Sequence, residues 1–119
     1  MGTFEVTLTI SNPAERVRSA TVRLLVDTSA TLSWILRPTL ESIGIAPLVR
    51  RRFLLADGRR VERDTGMAML TLDGTVVGVT VVFAEPGEGS MLGATALEAL
   101  GVTVDPVEEK LLPRDLMAL

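Results

Sequence analysis

The sequence predicts a mostly β domain with one or two short helices, and three observations carry that reading. Phe4, Val6, Leu8 and Ile10 alternate with Thr3, Glu5, Thr7 and Thr9, the period of two expected of a half-buried strand. Asp57-Gly58 and Asp73-Gly74 each stand between extended runs, the strongest short-range signal for a hairpin. One Trp, three Phe and no Tyr leave Val, Leu, Ile and Ala to build the core.

The elements follow in order. Residues 3–10 form the first strand, and "SNPAE" (11–15) reads as a turn. "RVRSATVRLLVD" (16–27) alternates and then becomes wholly apolar, as a strand does on entering a core. "ILRPTLESIGI" (35–45) can hold a short helix, with Pro38 near its start and Gly44 ending it. Residues 50–87 read as three strands joined by the two Asp-Gly turns, and the Val-rich run from Thr75 to Phe83 is expected to be buried. Arg50 to Arg52, Arg59 and Arg60 mark the first of these hairpins as an arm in solvent. "SMLGATALEALGV" (90–102) is an apolar pair, a glycine and a short helix that Gly101 stops. Residues 103–113 suggest a last strand or two around a turn at Asp105-Pro106. Trp34, alone in an apolar run, is read as core.

A chain of 119 residues with 47% hydrophobic content fits one domain, 1–119, able to hold a core without staples. A net charge of −3 gives no electrostatic reason to expect nucleic acid. The start "MGTFEVTLTI" lacks the pattern of a signal peptide, and no run of 18 apolar residues occurs, so no membrane partner is expected. Without Cys there is no disulfide framework, thiolate nucleophile or thiolate metal site, which fits a reducing, cytoplasmic setting. Without His there is no Ser-His-Asp catalysis and no common zinc ligand. Acid–base chemistry near neutral pH falls to carboxylates.

Asp27 is the carboxylate that stands out, because it follows the aliphatic run Leu24-Leu25-Val26 at the end of a strand. An isolated buried charge is costly. The local alternative is a strand end at which Asp27 accepts hydrogen bonds from the amides of Ser29 and Ala30, as Asp does in a turn.

Asp27-Thr28-Ser29-Ala30 after "LLV" resembles the active-site loop of aspartic peptidases. About thirty residues on, "LLADGRRVER" lies where the retropepsin-like family carries its flap. "MLGATALEALG" resembles that family's second signature, two apolar residues and a Gly followed at once by a helix. More narrowly, Leu25–Thr31, Ala56–Arg59, Val61–Gly66, Met91–Gly101 and Val104–Pro106 resemble the small prokaryotic clan AA aspartic proteases. The resemblance implies a retropepsin-like closed or partly open β-barrel with a flap hairpin. It implies an aspartic endopeptidase acting on peptide or protein substrates, with no cofactor and no metal. One Asp-Thr-Ser per chain implies a homodimer in which each chain donates Asp27. Thr28, Ser29 and Ala30 would form the active-site loop; Ala56, Asp57, Gly58 and Arg59 the flap; and Leu92, Gly93 and Ala94 the brace of the loop and a wall of the cleft. Ser29 stands where the family usually has Gly, and if the loop needs positive φ there it would be strained by about 1 kcal/mol or more. That departure keeps a second reading open, a peptide-binding or dimerisation module that cleaves little or nothing. A third is a purely structural subunit.

Overall fold

Strand alternation sets the first element. In β1 (Glu5–Ser11) Leu8 and Ile10 are buried while Glu5 and Thr7 face solvent. The computed structural model describes residues 4–118, so the expected strand position of Thr3 lies outside the described residues. The remaining elements are β2 (Ser19–Val26), β3 (Ser33–Leu36), α1 (Arg37–Ser42), β4 (Val49–Leu54), β5 (Arg60–Leu72), β6 (Thr75–Ala84), β7 (Met91–Leu92), α2 (Ala94–Leu100), β8 (Val102–Asp105) and β9 (Lys110–Pro113).

Seven strands form one sheet in the order β1-β2-β7-β3-β6-β5-β4, and β1 also pairs with β5, Thr9 to Ser11 against Thr71 to Met69. That extra pairing closes the sheet into a ring from which β4 projects on the far side of β5. Leu8, Ile10, Leu24, Leu70, Val81, Phe83 and Leu92 fill the ring, with Leu40 of α1 and Ala96 and Leu97 of α2 packed onto them. Burial of this set is the main driving force for the fold. β8 and β9 make a separate two-stranded sheet.

The two Asp-Gly hairpins take different turns. Asp73 and Gly74 both have positive φ, 49° and 83°, and Leu72 pairs with Thr75, which is the two-residue type I′ loop. At the other tip only Gly58 is left-handed, at φ 88°. There the Gly58 amide donates to the Leu55 carbonyl and the Leu55 amide to the Arg59 carbonyl, giving a longer loop ended by a glycine bulge.

Several sequence expectations are corrected here. β2 starts at Ser19 rather than residue 16, because the chain first closes a loop in which the Asn12 amide donates to the Arg18 carbonyl and the Asn12 side chain to the Ile43 carbonyl. β6 has fully buried residues only from Val79 onward; before it Val77 alone packs against the core, while Thr75, Val76 and Gly78 are exposed toward the hairpin tip. The helix expected within 35–45 is present as α1, with Pro38 in its first turn and Gly44 just beyond its end, and the run before it, Ser33 to Leu36, is a strand parallel to β6 that was not expected. Near the termini β1 is paired on both sides over Thr9–Ser11, and β9 pairs with β8. Among the described residues no helix is long and apolar enough to cross a membrane.

Partly buried ion pairs tie the loop after β6 and the start of α1 to β5. Arg37 reaches Asp64 at 2.7 Å and Glu85 at 3.2 Å and lies over the Phe83 ring. Arg63 reaches Glu88 at 2.6 Å. The Arg37 hydrogen bond holds the Asp64 carboxyl below the usual carboxylate range, and the Arg63 hydrogen bond does the same to Glu88. Both groups are more acidic folded than unfolded, so their stabilisation is present above the ordinary carboxylate range and is lost as pH falls through the lowered values. Urea unfolding followed from neutral pH downward should therefore show stability falling below about pH 4. Arg63→Gln should flatten that fall.

Candidate active site

β2 delivers Asp27 to the end of the ring, and a sharp turn follows. The carbonyl of Asp27 accepts from the Ala30 amide at 3.3 Å, and its carboxylate Oδ1 accepts from the Ser29 amide at 3.0 Å and the Ser29 hydroxyl at 2.5 Å. This is the turn expected of Asp. It coexists with a cleft: Asp27 is only half-buried, and Ser29 and Ala30 line the same cavity. Ser29 does not have positive φ, so the expected backbone strain is absent and the Cβ is tolerated.

The turn is held by residues far along the chain. The Asp27 amide donates to the Leu92 carbonyl at 3.0 Å, the Ala94 amide to the Ala30 carbonyl at 2.7 Å, and the Thr95 amide to the Thr31 carbonyl at 3.0 Å. β2 runs parallel to β7, with Val26 opposite Leu92. The Gly93 amide donates to the buried Ser33 hydroxyl at 2.9 Å. A Cβ on Gly93 would lie 2.6 Å from the Leu32 carbonyl oxygen and 2.8 Å from that of Ala30. Glycine is required there by close backbone approach, not by an unusual φ, which is −94°.

The cleft has a volume of about 740 Å³ and runs from Asp27 to the inner side of the β4–β5 hairpin. Its apolar wall includes Leu32, Trp34, Phe53, Leu55 and Met91. Trp34 and Phe53 meet edge to face at 5.4 Å between ring centres. Trp34 is buried, as expected of a core residue, in a small cluster with Val82 and Ala84, and it also borders the cleft. Of the expected flap residues, Ala56 lines the cleft, whereas Asp57, Gly58 and Arg59 form the exposed hairpin tip beyond it. There the Arg59 amide and then its guanidinium hold the Asp57 carboxyl below the usual range. Thr28 is exposed in the turn, and Leu92 and Gly93 are buried beneath it. Ser33 was missed by sequence reasoning, although a serine inside the apolar run "SWIL" is the kind of signal that could have found it. The Arg37 and Arg63 ion pairs were missed because their partners lie on other elements.

A closed β ring, an Asp-bearing turn braced by a Leu-Gly segment, and a hairpin arm over the cleft define one lobe of the retropepsin type. The family model for aspartyl proteases matches residues 6–97, and the chain belongs to that family. No curated protein matches the chain. Among solved structures it is similar to EIAV protease complexed with the inhibitor HBY-793, with a TM-score of 0.59 over 87% of this chain and 93% of that one, at 16% identity. The retropepsin-like fold expected from the motifs is the fold observed. β8 and β9 lie beyond the residues the family model matches.

Gly93→Ala tests the brace. Its Cβ would meet backbone oxygens that can yield only if the Asp27 turn moves. We expect a loss of about 1–3 kcal/mol in urea unfolding, with displacement of the Ala30 and Leu32 amide resonances.

Proposed function

We propose that the protein is a homodimeric aspartic endopeptidase in which Asp27 from each of two chains forms the catalytic pair. The observation that carries this reading is a half-exposed carboxylate in a backbone-braced turn at one end of a peptide-sized cleft. Two carboxylates about 3 Å apart cannot both ionise and would share one proton. The ionised member would take a proton from water as the water attacks the scissile carbonyl carbon, and the protonated member would donate to the carbonyl oxygen. The titration would belong to the pair. Thr28 would hydrogen-bond across the two-fold axis to fix the two turns. The hairpin tip from Ala56 to Arg59 would act as the flap, holding an extended substrate by backbone bonds and excluding water.

One observation favours a second reading. Asp27 Oδ1, which already accepts from the Ser29 amide, also accepts from the Ser29 hydroxyl, and that second bond takes a place that water or the partner chain's carboxylate would otherwise use. A module that binds peptides and cuts them slowly or not at all would have this feature.

Mass spectrometric mapping of cuts in a diverse peptide library, from about pH 3 to 7, tests both readings. Cleavage that falls by about 10²-fold or more in Asp27→Asn supports the enzyme. If the parent protein is silent, Ser29→Gly should restore cutting by removing the hydroxyl bond to Oδ1; continued silence favours the module. Sedimentation at micromolar concentration should show a dimer, and a monomer alone would contradict the shared pair.

A further inference from the structure

The hairpin over the cleft is rich in arginine, and its arginines divide into two groups. Arg50 bonds to Asp64 and lies near Glu62, Arg59 bonds to Asp57, and Arg63 bonds to Glu88. Arg51, Arg52 and Arg60 have no carboxylate partner among the described residues, and of these Arg51 and Arg52 line the cleft that holds Asp27. Arg52 stands opposite Glu62 in the strand register, but the Glu62 carboxylate is turned to Arg50. The protein carries a net charge of −3, yet the strand that borders its cleft carries two guanidinium groups without a carboxylate partner, one on each face.

The strand that carries them has an open edge. β4 is the last strand of the sheet and pairs only with β5, so an extended peptide can add to it through backbone bonds. Side chains of such a peptide alternate between the two faces, as those of β4 do. Arg51 shares a face with Phe53, which sits against Trp34, and Arg52 points to the other face. A bound peptide would therefore set one side chain in the apolar pocket of Phe53 and Trp34, and a side chain two positions away on the same face beside Arg51. The intervening side chain would fall on the face of Arg52.

We propose that this cleft selects extended peptides bearing a carboxylate two positions from an apolar residue, with Arg51 as the specificity-determining residue and Arg52 reinforcing it. Guanidinium groups match carboxylates in planar, two-point geometry. This inference rests on the peptide-binding part of the reading above and not on hydrolysis.

The test uses Asp27→Asn protein, which leaves bound peptide uncut, and two short Trp-free peptides identical except that Glu two positions from Leu in one is Gln in the other. Affinities are measured by calorimetry near neutral pH and low salt, with fluorescence of the single tryptophan, Trp34, as a second readout. We expect the Glu peptide to bind about tenfold tighter, the low end for charge-assisted bonds in a solvent-open site. Arg51→Ala should abolish the preference, the Glu peptide losing about tenfold more affinity than the Gln peptide. Equal affinities, no binding of either peptide, or a preference that survives Arg51→Ala and the Arg51→Ala/Arg52→Ala double variant would overturn the proposal. Equal cleavage of both peptides by the parent protein would also overturn it while leaving the protease reading intact. Acid-selective binding without any cleavage would support it and count against hydrolysis.

Discussion

Asp27 is held in place by a ladder of backbone bonds to a segment more than sixty residues further along the chain. The amide of Asp27 is bonded to Leu92, the carbonyls of Ala30 and Thr31 to the amides of Ala94 and Thr95, and the Ser33 hydroxyl to the amide of Gly93. These bonds allow a charged side chain to stand at the end of an apolar strand without fraying it. The strand's backbone groups find partners inside the protein while the carboxylate stays at the cleft. They also explain the glycine: with the Leu32 and Ala30 carbonyl oxygens 2.6 and 2.8 Å from where a Cβ would sit, no side chain fits at Gly93.

The cleft's other wall is anchored differently. Arg37, at the start of α1, joins Asp64 in β5 to Glu85 after β6, and Arg63 joins β5 to Glu88 in the same loop. Asp64 lies opposite Arg50 in the register, so these ion pairs sit at the root of the hairpin arm rather than at its tip. The tip is closed by short-range bonds of its own, between Asp57 and Arg59 and between the backbone of Leu55 and that of Gly58 and Arg59.

Local features were legible in the sequence and long-range ones were not. The alternation from Phe4 to Ile10, the Asp-Gly turns and the Gly101 helix stop each depend on neighbouring residues, and each is present. The short strands β3 and β7 were not read as strands. Their pairings with β2 and β6 are parallel, across gaps no local pattern marks. The difference between the two Asp-Gly turns was hidden for the same reason, because the dipeptide is identical and only the register around it differs. At the candidate site, the motif resemblance led to the Asp27 turn and the Leu92-Gly93 brace. The buried Ser33, the Trp34–Phe53 contact and the Arg37 and Arg63 ion pairs depend on tertiary neighbours.

The parallel pairing of β2 with β7 also bears on the order of assembly. The hairpin of β1 and β2 can form from the first 26 residues, and it presents Asp27 at its end. The Ser29 and Ala30 bonds only shape the turn; its fixed position waits on residues 92–95, which leave the ribosome later. Contacts of such long sequence separation carry a loop-closure cost and tend to form late in folding. A nascent or partly folded chain therefore displays the aspartate without an organised site around it.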